Sequence, residues 1–165
     1  MPSSYPQSIL PILEAIEFIK PKSVLDIGFG RGKYGFLVKE YYPKVKVDGL
    51  EVFEPYITNL QREIYDNIFI GDILKTEVGQ YDLYLLIDII EHFEKEEAHD
   101  LLNKLLKQGK IIVSTPKTFI PQEAENGNEW EIHKTLWTID DFKIYNHRVV
   151  ENEFSLILIL YANLD

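Results

Sequence analysis

The sequence predicts a single α/β domain built on a doubly wound, mostly parallel sheet. Three observations carry this reading. Apolar runs of strand length alternate with stretches of helical periodicity from residue 23 to residue 114, and the first apolar run empties into a glycine-rich turn. The chain then closes on two strand patterns around a tight polar turn, the signature of an antiparallel hairpin. With 165 residues, 45% of them hydrophobic and 13% aromatic, a disordered chain is excluded. A domain of that length buries roughly 70% of its unfolded surface. No internal repeat or linker interrupts it, so residues 1–165 are read as one domain.

The elements follow in order. Ile9, Ile12, Leu13, Ile16 and Ile19 recur at helical spacing after Ser8, the expected N-cap; Pro11 sits in the first turn and Pro21 stops the helix, which fills residues 1–21. A strand over Ser23 to Ile27, a helix from Lys33 to Tyr41 ended by Pro43, and a strand over Val45 to Leu50 come next. Pro55 is expected to open a helix toward Arg62, followed by short strands at Asn67 to Ile70 and Tyr81 to Ile87. Ala98, Leu101, Leu102, Leu105 and Leu106 form one stripe of a helix over Glu94 to Lys107, and Gln108-Gly109 turns the chain into the strand Lys110 to Ser114.

The stretch from Thr115 to Trp130 is rich in Pro, Glu, Asn and Gly and reads as a long loop; with the residues up to Trp137 it forms a candidate lid, 115–137. Thr138 and Asp141 have the spacing of a cap on a short helix. Tyr145 to Val150 and Phe154 to Tyr161 are the two arms of the hairpin, turning at Glu151-Asn152-Glu153.

A formal net charge of −10 disfavours a surface that wraps nucleic acid, because such binding neutralises phosphates with Lys and Arg. The absence of cysteine removes disulfides, thiolate metal sites and a cysteine nucleophile. The N-terminal stretch lacks the pattern of a signal peptide, and the apolar run Phe154 to Ala162 is far shorter than the ~20 residues that span a bilayer as a helix. A cytoplasmic protein without membrane contact is the expectation.

The most informative stretch is Val24-Leu-Asp-Ile-Gly28-Phe-Gly30-Arg-Gly32-Lys33-Tyr-Gly35. Glycine is used where backbone must take φ > 0 or admit a ligand without a Cβ in the way. Three glycines at alternate positions after a buried strand combine both needs, so the turn reads as a cradle for a small molecule, a nucleoside.

From these residues the chain resembles the class I S-adenosylmethionine-dependent methyltransferases from Ser23 onward. In that family the first strand ends in an acid and a glycine turn, here Asp26, Gly28, Gly30 and Gly32. The second ends in an acid that binds ribose, here Glu51, which would leave Val52 and Phe53 to flank the adenine; an acid after the third serves adenine, here Asp72 followed by Ile73. After the fourth comes a residue near the methionine moiety, here Asp88 in Ile87-Asp-Ile-Ile-Glu91-His92. The resemblance implies a seven-stranded Rossmann-like sheet with an antiparallel last strand, and S-adenosyl-L-methionine as cofactor.

Gly30-x-Gly32-x-x-Gly35 also satisfies a dinucleotide fingerprint. Asp26 separates the readings: it would repel a pyrophosphate at the helix N-terminus but suits a ligand carrying a sulfonium and an ammonium. A nicotinamide-dependent oxidoreductase is therefore the third choice, behind a catalytically silent S-adenosylmethionine-binding partner subunit.

Methyl transfer from a sulfonium is an in-line displacement in which alignment and exclusion of water supply much of the rate, and a base is needed only when the acceptor must lose a proton. His133 in the Trp130 to Trp137 stretch and His92 are the catalytic candidates. The four histidines are scattered with no short ligand pairing, which argues against a bound metal. The acidic charge and the lack of any added domain favour a small metabolite or sugar-like acceptor over RNA or DNA. Oligomeric state is not legible.

Overall fold

The computed structural model describes residues 4–124, 127–150 and 152–162. Seven strands form one sheet: β1 (Ser23–Ile27), β2 (Lys46–Glu51), β3 (Asn67–Ile70), β4 (Leu83–Ile87), β5 (Lys110–Pro116), β6 (Asn146–Val149) and β7 (Ser155–Tyr161). Their order is β3-β2-β1-β4-β5-β7-β6. Pairing is parallel from β3 through β5, while β7 runs antiparallel to both β5 and β6. The order reverses between β1 and β4, and at such a switch point the carboxyl ends of the strands open a crevice.

Side chains of the central strands alternate between two cores. Leu25, Tyr84, Leu86, Ile111 and Val113 face a layer containing α4 (Lys95–Leu106), Trp137 and Phe142. Val24, Leu83, Leu85 and Ile112 face the opposite layer, which contains α1 (Ile9–Ile19), α2 (Lys33–Tyr41) and α3 (Asn59–Ile64). Both faces are covered, which is why these strands read as continuous apolar runs.

Three local expectations are corrected. Ser8 does not cap α1: a 3-10 turn over Pro6–Ser8 precedes the helix, and the buried Ser8 hydroxyl instead donates to Ser155 Oγ at 2.9 Å. Pro55 opens only a 3-10 turn, Glu54–Tyr56, because Thr58 starts α3 with a capping box in which Gln61 reaches back to the Thr58 N–H at 2.9 Å. The fourth strand begins at Leu83, since Asp82 is spent accepting the N–H groups of Lys22 and Ser23 at 2.7 and 3.1 Å. The expected cap of Thr138 by Asp141 is present on the 3-10 turn Ile139–Phe142. In the hairpin, Asn152 Oδ1 accepts from Phe154 N and Ser155 N, both at 2.8 Å; Glu151 lies outside the described residues.

Candidate active site

The carboxyl ends of the parallel strands open onto a cavity of about 410 Å³. Its floor is the turn after β1, where Gly28, Gly30 and Gly32 have φ of 64°, 52° and 79°. Only glycine adopts these angles without strain. Gly28 N–H donates to Leu50 O at 2.7 Å, tying the turn to β2, and a Cβ at Gly28 would strike the Ile89 side chain. Gly35, by contrast, is a packing glycine: its missing Cβ makes room for the Tyr65 ring. The third glycine of the dinucleotide fingerprint is thereby accounted for without a ligand.

Four carboxylates ring this floor. Asp26 is buried, and its Oδ2 accepts both the Gly35 N–H at 3.1 Å and the Tyr65 hydroxyl at 2.7 Å. Burial outweighs these two bonds and pushes its carboxyl up to about 7. Asp26 is therefore a clasp between the turn, α2 and Tyr65 as well as a cavity wall, a role the sequence reading missed. Glu51 ends β2, and its two oxygens accept from Gly30 N and Phe53 N, each at 3.0 Å. Burial raises its pKa too, against the pull of those backbone N–H groups. Each oxygen has a second lone pair for a further hydrogen-bond donor.

Asp72 caps its own turn, accepting from Leu74 N at 3.0 Å and pairing with Lys75 at 3.3 Å. Asp88 sits at φ 55°, a left-handed conformation unusual for a residue with a Cβ. The Ser114 hydroxyl donates to its Oδ1 at 3.0 Å; burial dominates that bond and the nearby Lys33 ammonium and raises the carboxyl to about 6. Val52 and Ile73 also line the cavity. All the residues expected to hold the donor, apart from Gly32, are in the cavity wall; Gly32 closes the turn by donating to Phe29 O at 2.8 Å.

The opposite end of the cavity is made by the 3-10 turn Ile90–His92 and the segment that passes over it. Lys134 N and Thr135 N both donate to Glu91 O, at 2.8 and 3.1 Å, and Trp137 Nε1 donates to Ile90 O at 3.1 Å. This pins the 115–137 segment across the end of β4. His92 and His133 are brought edge to face, ring centroids 4.8 Å apart. His92 Nδ1 lies 3.1 Å from Ile132 O and His133 Nδ1 lies 2.7 Å from Ile120 O. A carbonyl only accepts, so Nδ1 carries the proton in both rings. Burial lowers both pKa values, that of His92 to about 4 with help from the neighbouring His133 and Lys134, against the opposing effect of the Ile132 and Asp88 carbonyls on His92 and of the Ile120 carbonyl on His133.

Beside them stands Glu91, only 2% exposed, with neither carboxylate oxygen hydrogen-bonded among the described residues. Its pKa is raised by burial first and then by the charge of Asp88; the adjacent Thr115 hydroxyl offsets little of this. One ligand atom from each of Glu91, His92 and His133 lies within 4.8 Å of the others. The premise that the histidines are scattered thus fails for two of the four. Their wide separation along the chain hides a contact that only the crossing segment creates. Lys33, Tyr34, Gln122 and Trp130 also line the cavity without having been singled out. Of these, only Lys33, directly after the glycine turn, carried a positional signal.

This sheet order, with its antiparallel seventh strand and its crevice at the switch point, defines the fold of the S-adenosylmethionine-dependent methyltransferases. Human N-acetylserotonin methyltransferase, solved with S-adenosylmethionine, superposes with a TM-score of 0.67 at 14% identity, covering 93% of this chain and 51% of that one. Magnesium protoporphyrin IX methyltransferase from Synechocystis, solved with S-adenosylhomocysteine, gives 0.66 at 17% identity over 94% of this chain and 81% of that one. The methyltransferase domain of bacterial CtHen1 gives 0.66 at 18% identity over 94% and 98%. The chain spans about half the length of the human enzyme and of several other matched structures. No protein-family model and no curated protein sequence matches it. Among the described residues no helix is long and apolar enough to cross a membrane.

Proposed function

We propose that this chain is a methyltransferase that binds S-adenosyl-L-methionine on the Gly28 to Gly32 turn and transfers its methyl group to a small-molecule acceptor held under residues 115–137. One observation carries the reading. The bare turn is flanked by three buried carboxylates, Asp26, Glu51 and Asp88, whose pKa values burial raises, and a bound cation would offset that cost. A sulfonium and an ammonium supply that positive charge; a pyrophosphate would add to the repulsion. Glu51 would hold the ribose, Val52 and Ile73 the adenine, Asp72 its edge, and Asp88 the ammonium. Structures of this fold have been solved with the donor or its product bound, and two of the matched proteins are named for small-molecule acceptors, N-acetylserotonin and magnesium protoporphyrin IX.

The transfer itself asks little of side chains. The acceptor must lie in line with the methyl–sulfur bond, in a cavity from which the crossing segment excludes water. His133 and His92, both neutral at pH 7 because burial depresses their pKa values, are available to orient the acceptor. Calorimetric titration with S-adenosylhomocysteine and with a nicotinamide dinucleotide tests the donor, and release of S-adenosylhomocysteine in the presence of hydroxylated metabolites tests turnover. Binding of the homocysteine compound alone is expected. Binding of the dinucleotide alone refutes the assignment, and donor binding without turnover on any acceptor supports the silent-subunit alternative.

A further inference from the structure

At the acceptor end, a buried carboxylate that makes no hydrogen bond among the described residues lies beside two imidazoles whose Nδ1 atoms are tied to backbone carbonyls. An isolated buried carboxylate is costly unless it is protonated, paired or bound to a metal. Neither Glu91 oxygen makes a hydrogen bond among the described residues, and the Thr115 hydroxyl beside it offsets its burial only in small part. The charged neighbour that acts on it is another acid, Asp88, which adds to the cost. The rings complete the pattern. Because Ile132 O and Ile120 O take the Nδ1 protons of His92 and His133, each neutral ring keeps its lone pair on Nε2. Backbone carbonyls that fix the tautomer and orientation of an imidazole are the usual outer support of a metal-binding histidine.

We propose that Glu91, His92 and His133 bind a divalent first-row transition metal ion at the acceptor end of the cavity. One carboxylate and two imidazoles suit a borderline cation such as Mn²⁺, Fe²⁺, Co²⁺ or Zn²⁺ and leave coordination positions open toward the cavity. Mg²⁺, which prefers oxygen ligands, suits the set less well. The three residues come from the turn after β4 and from the crossing segment, so the ion also ties that segment to the sheet.

The role of the ion rests on the methyltransferase reading; its binding does not. With an acceptor hydroxyl on an open position, the positive charge favours loss of the hydroxyl proton. The oxygen lone pair then forms the new bond to the methyl carbon as the carbon–sulfur bond breaks and its electrons return to sulfur. The products are a methyl ether, S-adenosylhomocysteine and one proton. The acceptor is therefore an alcohol or phenol rather than a carbon or amine nucleophile.

The full chain, stripped with a chelator and dialysed, is titrated with Co²⁺ while its visible absorption is followed, and with Mn²⁺ while the paramagnetic resonance of the free ion is followed. One saturable equivalent is expected. Glu91→Gln and His133→Asn should each weaken it by at least about a hundredfold, since even supporting residues are worth ten to a hundredfold. His147→Gln, outside the cluster, should not, and circular dichroism checks that each variant is folded. Absence of saturable binding of Co²⁺, Mn²⁺ and Zn²⁺ overturns the proposal, as does full binding by both site variants. S-adenosylhomocysteine titrated into the same samples separates the two readings. Donor binding without metal binding removes the ion alone, whereas metal binding at Glu91 without donor binding removes the methyltransferase and leaves the site.

Discussion

Replacing Asp26 by Asn tests the cost of burying a carboxyl in the cavity wall. In the folded chain the Asp26 carboxyl is raised from 3.8 to about 7 by burial. An acid with a raised folded pKa keeps its proton in the folded chain after the unfolded chain has lost it, so stability falls as pH climbs from the lower value through the higher. The full span is worth about 4 kcal/mol, and about 3 kcal/mol of it falls between pH 5 and pH 8. The amide of the Asp26→Asn chain has no charge to bury, and its carbonyl oxygen can accept the same bonds from Gly35 N–H and the Tyr65 hydroxyl. The variant should therefore gain about 3 kcal/mol on wild type between pH 5 and pH 8. In a domain of this size that is roughly 6–12 °C in melting temperature. Urea and thermal melts of both chains, without ligand, at several pH values give the difference curve directly. Glu51, Asp88, Glu91 and His92 titrate in both chains and largely cancel. A difference that stays flat within about 0.5 kcal/mol from pH 5 to pH 8 would refute the claim that Asp26 is held protonated by burial.

The remaining predictions follow from the same wall. Donor affinity of the wild-type chain should rise with pH through about 6 to 7, because the cationic donor favours the ionised forms of Asp88 and Asp26; calorimetry across that range should show a shallower rise in Asp26→Asn. Tyr65→Phe removes the hydroxyl that lowers the Asp26 pKa and should cost about 1–3 kcal/mol at pH 8, less at pH 5, by urea denaturation. Gly28→Ala should cost about 2–4 kcal/mol, combining a positive φ with the collision against Ile89, and trimming Ile89 to Ala in the same chain should recover only the collision. His133→Ala should leave S-adenosylhomocysteine affinity within about threefold while turnover drops by about a hundredfold or more, read by single-turnover kinetics.

The donor half of the cavity was legible because it is built from local signals. A turn that needs positive φ leaves glycines at Gly28, Gly30 and Gly32, and an acid at a strand end follows an apolar run; both are visible within a few residues. What those signals did not show is that Asp26 also serves the fold. Its partners, the Gly35 N–H and Tyr65, lie 9 and 39 residues away, and the latter is placed by packing of α3 against the glycines. Ser8 misled for the same reason: its hydroxyl is taken by Ser155, 147 residues distant, so a cap that local chemistry favours is overridden by a buried hydrogen bond.

At the acceptor end His92 and His133 were legible one by one as histidines beside the sheet's carboxyl edge, but their meeting with Glu91 was not, because nothing local specifies it. Glu91 and His92 sit in a strand-to-helix turn with no periodicity, and His133 sits in a segment that reads as an irregular loop. Their meeting is decided by main-chain bonds, from Lys134 N and Thr135 N to Glu91 O, and by the Trp137 indole on Ile90 O. Backbone groups are present at every residue, so such bonds leave no mark on composition or spacing. The one side chain that betrays them is Trp137, whose burial in the α4 core anchors the segment at its end. Fixing that end sets the register by which His133, four residues earlier, arrives beside His92. A Trp137→Phe chain keeps most of the buried ring but loses the indole donor to Ile90 O. It should therefore disturb the geometry of the acceptor end more than the donor turn.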